Sequence, residues 1–183
     1  MNLKEFLRMV LVLTLVTGIW GGLLSLVKIA TQDQIEYQRI KNVKAPALEK
    51  AINVEYTNDP VKARRKIKVG TDESGNPIRR NVFIAKRKGR VVAVALEGYG
   101  TGYGGRLGVM VAIRPEKRIV DGIAVTTYSE TPGVGTKAMK SENFMGQFSG
   151  KRISANFGGS RIDTYSGATY TSEGIMEAVE SAT

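Results

Sequence analysis

RVVAVALEGYGTGYGGRLGVMVAI, residues 90–113, decides the architecture. Its two ends, 90–98 and 107–113, are runs of Val, Leu, Ile, Ala and Met with the character of buried strands. Between Gly98 and Gly108, six of eleven residues are glycine. Gly100, Gly102 and Gly105 satisfy G-x-G-x-x-G directly after a strand, the start of a dinucleotide fingerprint. That fingerprint needs a helix next, with its N-terminus against a pyrophosphate. LGVMVAI follows instead, and it is a strand. A Rossmann unit is therefore excluded. The segment reads as a glycine-rich connection between two strands, where backbone approaches a ligand or another chain closely. A Walker phosphate loop fails too, because Gly150-Lys151-Arg152 lacks the Ser or Thr and the spacing.

Outward from this pair, 61–69 and 78–87 are further strand candidates, separated by a turn signal at 73–77 (ESGNP). IVDGIAVTTYS, 119–129, is another. In TKAMKSENFMGQF, 136–148, Met139, Phe144 and Phe148 are spaced for one helix face. Ile175, Met176 and Val179 mark a short final helix after Ser172. The expected fold is α+β: one mixed, largely antiparallel domain over 53–183.

The N-terminal part differs. Met9–Val27 is nineteen residues without a charge, flanked by Arg8 and Lys28. About 20 apolar residues cross a ~30 Å hydrocarbon core as a helix. A cleaved signal peptide would have an apolar run of about 7–15 residues and a small-x-small site; this run is longer and no A-x-A follows. Residues 1–30 are read as a retained single-pass anchor. Flanking charge does not set its orientation, since Lys and Arg lie on both sides. A pilin-type N-terminus is excluded because no Gly precedes Glu5 or Phe6. Residues 31–52 are polar with Ile35, Ile40 and Val43 interspersed, and read as a helical stalk interrupted near Pro46.

The chain has 183 residues, no Cys and no His. Disulfides, Cys or His zinc sites, Cys-ligated clusters and C-x-x-C-H haem attachment are all excluded, as is any covalent cofactor link through Cys or His. A link through a hydroxyl remains. The formal charge of +10 favours anionic partners such as phosphoryl groups or a membrane surface. No nucleic-acid motif accompanies it, so no nucleic-acid partner is expected.

Two polar clusters stand out. Glu130-Thr131-Pro132-Gly133-Val134-Gly135-Thr136-Lys137 is a Pro-Gly turn running into a helix, with backbone N–H groups available to a ring edge or phosphate. Asp163-Thr164-Tyr165-Ser166-Gly167-Ala168-Thr169 is D-x-x-S-G-A-T. Read by itself, it is equally a turn entering a helix.

In order, LEGYGTGYGG-LGVMVAI, ETPGVGTK and DTYSGATYTS resemble the FMN-binding domain of the G subunit of the Rnf electron-transport complex. They are similar also to the C subunit of the sodium-translocating NADH:quinone oxidoreductase. The resemblance is firm over 90–181 and weak over 31–89; Val134 stands where the family usually has Leu. It implies one membrane helix and an extracytoplasmic domain carrying covalent FMN. By motif, Thr169 accepts the flavin phosphoester, and Ser166, Gly167 and Ala168 shape the turn that exposes it. Asp163 belongs to the signal read by a separate flavin transferase. Thr131, Gly133, Val134 and Gly135 lie near the isoalloxazine ring, with Lys137 offsetting charge. The implied function is an electron-carrier subunit, not a complete enzyme, whose partners are the other Rnf subunits. The alternatives are the quinone-reductase subunit, or a tethered non-redox binding module with a basic surface.

Overall fold

A computed structural model describes residues 2–71, 75–158 and 162–183, the Asp33 side chain excepted. The chain forms two compact units, Met1–Arg39 and Ile40–Thr183.

The first unit is helix α1, Leu3–Arg39. Residues 3–32 are long and apolar enough to cross a membrane, with a mean hydropathy of 2.2 over the most apolar window. Hydroxyls inside such a span need partners within the helix. Thr14 and Thr17 donate back to the carbonyls of Val10 and Leu13, at 2.8 and 2.9 Å.

The second unit begins with a π turn, Ile40–Lys44, and helix α2, Ala45–Ala51, with Pro46 in its first turn where a missing N–H costs nothing. These residues were expected to belong to a stalk. Instead Ile40, Ala47, Leu48, Ala51 and Ile52 are buried in the core of this unit. Five antiparallel strands follow in sequence order: β1 (Arg65–Thr71), β2 (Pro77–Arg87), β3 (Arg90–Gly102), β4 (Gly105–Arg114) and β5 (Ile119–Thr127). The 73–77 turn lies in part outside the described residues. β1 pairs only with residues 77–82 of β2, whereas β3 pairs with residues 82–87. Residues 65–71 and 77–81 are thus a two-stranded ribbon running past the main sheet.

Alternation along β2, β3 and β4 gives each sheet face its own core. Phe83, Ala85, Ala93, Ala95, Met110 and Ala112 pack against α2 and the π turn. Leu107, Val109 and Val111 face the other way, toward helix α5 (Thr169–Glu180) and its Ile175, Met176 and Val179. Phe144, Phe148 and Phe157 complete that side, with ring centroids 5.6 and 5.9 Å apart in succession. The single helix expected over 136–148 is two short ones, α3 (Gly135–Lys140) and α4 (Glu142–Gly146). Ser141 separates them: its backbone is extended and its hydroxyl accepts the Phe144 N–H.

The glycine segment of 98–108 is itself strand. β3 and β4 pair as far as Gly102↔Gly105, leaving Tyr103-Gly104 as a two-residue hairpin turn. The close backbone approach expected there is made by α5 of the same chain. A Cβ on Gly100 would lie 2.1 Å from the Gly174 carbonyl oxygen, and one on Gly174 would lie 2.6 Å from that of Thr101.

On the α2 face, a polar network closes the end of the core. Lys44 pairs with Glu97 at 3.1 Å, and Tyr99 and Thr126 both donate hydroxyl bonds to that carboxylate. Burial alone would raise the Glu97 pKa, but the Thr126 bond, the Lys44 ammonium and the Tyr99 bond outweigh it and hold the carboxyl below its usual range. Burial and the adjacent carboxylate push the Tyr99 phenol up to about 12.

Gly100→Ala places a methyl group inside backbone that no rotamer change can move. We expect a loss of about 3 kcal/mol or more, read as a lowered unfolding midpoint of the full-length protein in detergent. Gly18→Ala, where nothing stands within 4 Å, is the control and should leave the midpoint unchanged.

Candidate functional site

Asp163–Thr169 forms a stapled turn. The Gln147 side chain grips the backbone of Asp163 at both groups: the Asp163 N–H donates to Gln147 Oε1 at 2.8 Å, and Gln147 Nε2 donates to the Asp163 carbonyl at 3.1 Å. The Asp163 side chain stays exposed. Next, the Ala168 N–H donates to the Tyr165 carbonyl at 3.0 Å, closing a four-residue turn. Its third position is Gly167 at φ +80°, where a glycine is wanted. Ser172 locks the turn to the helix: its hydroxyl accepts the Tyr165 N–H at 3.0 Å and donates to the Ala168 carbonyl at 2.9 Å.

Thr169 is the first residue of α5, four positions earlier than the expected start after Ser172. Thr169 and Ser166 are exposed, and Ala168 is buried. Ala168 stands at the N-cap, where it has no side chain to bond the first-turn N–H groups. The nearby hydroxyls differ. Thr171 and Ser172 are buried, at 1% and 0% exposure, and both are hydrogen-bonded inside the fold. Thr169, by contrast, is an exposed residue at a helix N-terminus.

The second cluster is a tight loop into α3. The Val134 N–H donates to the Thr131 carbonyl at 3.2 Å, and the Gly133 N–H to the Thr136 hydroxyl at 2.9 Å. Thr131, Gly133, Val134 and Lys137 are exposed, while Gly135 and Thr136 are buried. Gly133 and Lys137 share a cleft of about 390 Å³ with Thr136, Lys140, Ser141 and Tyr165. This cleft joins the two clusters, since Tyr165 belongs to the turn. Thr131, Val134, Asp163 and Thr169 are not on its walls. A larger cleft of about 750 Å³ shares Thr136, Lys140 and Ser141 and continues over β5 to Tyr128. Both volumes suit a small-molecule ligand.

Two features escaped the sequence reading. Tyr103, at the hairpin turn, and Tyr170 lie with ring centroids 6.3 Å apart and are largely exposed, an aromatic pair beside Thr169. Glu130, which heads the second cluster, is buried and accepts hydrogen bonds from the Thr171 hydroxyl and the Gly104 N–H. An exposed loop is the default expectation for an acid beside Pro-Gly, so only the density of glycines at 102, 104, 133 and 135 hinted at a crowded position.

Residues 102–183 match the family of the FMN-binding domain. The chain is similar to the G subunit of the proton-translocating ferredoxin:NAD(+) oxidoreductase complex of Clostridium ljungdahlii, at 28% identity over 71% of this chain and 80% of that one. It is similar also to the G subunit of the ion-translocating oxidoreductase complex of Vibrio cholerae, at 28% identity over 94% and 86%. Among solved structures it resembles NqrC of Shewanella oneidensis, with a TM-score of 0.58 and 18% identity over 79% of this chain and 91% of that one. That last likeness is one of fold.

Gly167→Ala forces a side chain into the left-handed region, at a cost of about 1–2 kcal/mol. We expect faster amide exchange across 165–169 by about tenfold, with exchange in β3 and β4 unchanged, measured by mass spectrometry on the purified protein.

Proposed function

Given an FMN-binding domain over residues 102–183, we propose that this chain is the membrane-anchored electron-carrying subunit of an ion-translocating oxidoreductase complex of the Rnf type, with FMN esterified through its phosphate to Thr169. The observation that carries the reading is the Thr169 hydroxyl. It is exposed, it opens a 12-residue helix that lacks a side-chain cap, and it follows a turn made rigid by Gln147 and Ser172.

These residues fit the group. A phosphoester keeps a negative charge, and free N–H groups at a helix start favour anions by about 0.3–1 kcal/mol at exposed positions. Lys137 and Lys140 line the adjacent cleft and add positive charge. Gly133 and Tyr165 give that cleft a backbone edge and an aromatic wall. Val134, next to Gly133 in the chain and 51% exposed, offers an apolar surface. When bound, FMN supplies reversible electron acceptance and release. The residues of the turn and the cleft would hold it and limit its reach.

A Thr hydroxyl is a poor nucleophile without a base or metal. The chain has no His, so attachment by a separate flavin transferase is part of the proposal. The exposed Asp163, on a backbone pinned by Gln147, is available to be read by that enzyme. The relatives named above are subunits of multi-subunit complexes, and the partners proposed here are the corresponding subunits. We place the domain on the extracytoplasmic side, where a covalent tether prevents loss of the cofactor.

Thr169→Ala should abolish covalent flavin and leave the fold intact, since an exposed side chain is lost; Thr169→Ser should retain some attachment. The check is intact mass, and flavin fluorescence of denatured protein on a gel, after co-expression with an active transferase. Survival of the FMN mass increment in Thr169→Ala, with loss in Thr164→Ala, would move the acceptor to Thr164. No increment on the parent protein would favour the non-redox binding module. Protease added to spheroplasts should remove the domain, and protection until lysis would reverse the orientation.

A further inference from the structure

We infer that Glu130 is the positioning residue of the flavin site, the group that holds the Thr169 end of α5 in register with the 131–137 loop. The inference rests on Thr169 being the flavin acceptor.

Glu130 is 5% exposed. Its Oε2 accepts the Thr171 hydroxyl at 3.0 Å, and its Oε1 accepts the Gly104 N–H at 3.2 Å. Three segments far apart in sequence therefore converge on one carboxylate: the β3–β4 hairpin turn, the start of the loop and the first turn of α5. The surroundings are cut to its shape. A Cβ on Gly102 would stand 2.1 Å from Oε1, and one on Gly135 would stand 2.3 Å from Oε2 and 2.7 Å from the Thr171 hydroxyl. Glycine at 102 and at 135 makes room for the carboxylate and for its bond to Thr171.

A buried carboxylate is costly unless hydrogen-bonded, and an apolar residue of the same volume packs as well or better. A position that needed only packing would not carry an acid surrounded by glycines. What the carboxylate adds is direction, because two bonds at two oxygens fix two elements relative to the loop. Thr171 lies two residues beyond Thr169 on the same turn. Its bond therefore sets where the Thr169 hydroxyl stands relative to Gly133 and Lys137, which line the cleft. Glu130 touches neither the acceptor hydroxyl nor that cleft, so it acts through Thr171 and Gly104.

The test uses full-length protein in detergent, co-expressed with the flavin transferase. Thr171→Val removes the hydroxyl and keeps the shape. Thr171→Ser restores a hydroxyl, and Glu130→Leu removes both acceptors while keeping most of the volume. Two quantities are read: fluorescence anisotropy of the tethered FMN in the native state, and amide exchange along α5 and the hairpin turn. We expect Thr171→Val and Glu130→Leu to lower the anisotropy markedly toward its denatured value. Exchange should rise about tenfold or more at Gly104 and over 169–172, with 175–179 unchanged, and Thr171→Ser should match the parent. Unchanged anisotropy and exchange in both disruptive variants overturn the inference. Uniform acceleration along the whole of α5 also overturns it, because it assigns Glu130 to general stability. A parent protein without FMN would defeat the flavin reading and this role with it, while the exchange pattern alone would still report whether the clamp exists.

Discussion

Backbone of α5 rests on backbone of β3, and the rest of the second unit is arranged around that contact. Gly98 lies under Ala178, Gly100 under Gly174, and Thr101 against Gly174. As β3 advances, α5 runs back, so the N-terminus of the helix arrives beside the hairpin turn at Tyr103-Gly104. That single geometric fact brings Tyr170 to Tyr103 and Thr171 to Glu130, and it puts Thr169 at the mouth of the assembly. Along this line the glycines let backbone meet backbone, and two α5 side chains bond the strand: the Tyr99 N–H donates to the Ser181 hydroxyl and the Thr101 N–H to the Glu177 carboxylate, both at 2.8 Å. Dispersion between closely packed atoms and the apolar flanks from Leu107, Val109, Ile175 and Val179 supply the attraction.

The two faces of the sheet are used differently. One is closed by α2 and the π turn over a layer of alanines, and its polar edge is the Lys44–Glu97–Tyr99 network. Three donors keep Glu97 ionised there despite its burial, so that edge behaves as a fixed structural pair. The other face carries α3, α4 and α5 and opens into the clefts. Its buried acid, Glu130, has fewer donors and ties together elements that meet only at the site. The groups with chemistry to offer lie at loop and helix ends in front of the sheet.

Much of this was legible because β-branched and apolar runs specify strands strongly: 78–87, 107–113 and 119–127 are found where Val and Ile cluster. The failures have physical causes. Glycine has low strand propensity, so β3 was expected to end near Gly98, yet it runs to Gly102 because α5 needs a surface without side chains. Thr169 to Ser172 are weak helix formers, so α5 was expected late, and packing of the first turn overrides propensity. Residues 40–52 look polar enough for a stalk, but five apolar positions among them find the sheet. At the site, D-x-x-S-G-A-T and E-T-P-G-V-G-T-K pointed to two clusters, and a shared cleft brings Gly133 and Lys137 to Tyr165 of the turn. The burial of Glu130 was only hinted at by nearby glycines, because its hydrogen-bond partners lie 26 and 41 residues away along the chain.

The β1–β2 ribbon has a consequence for crowding. β1 is an edge strand, exposed along almost its whole length, with Ile67 and Val69 open to solvent. Such an edge is an invitation to strand exchange between neighbours. Anchored copies of one protein share a plane, where encounters between like molecules are frequent. Here Arg65 and Lys68 stand on the edge, and Lys68 lies directly across from Arg79, a pairing of like charges that weakens the ribbon itself. Basic side chains along an edge strand are a general means of discouraging pairing with a like edge, and here they come with a cross-strand pairing of like charges that costs the ribbon some local stability.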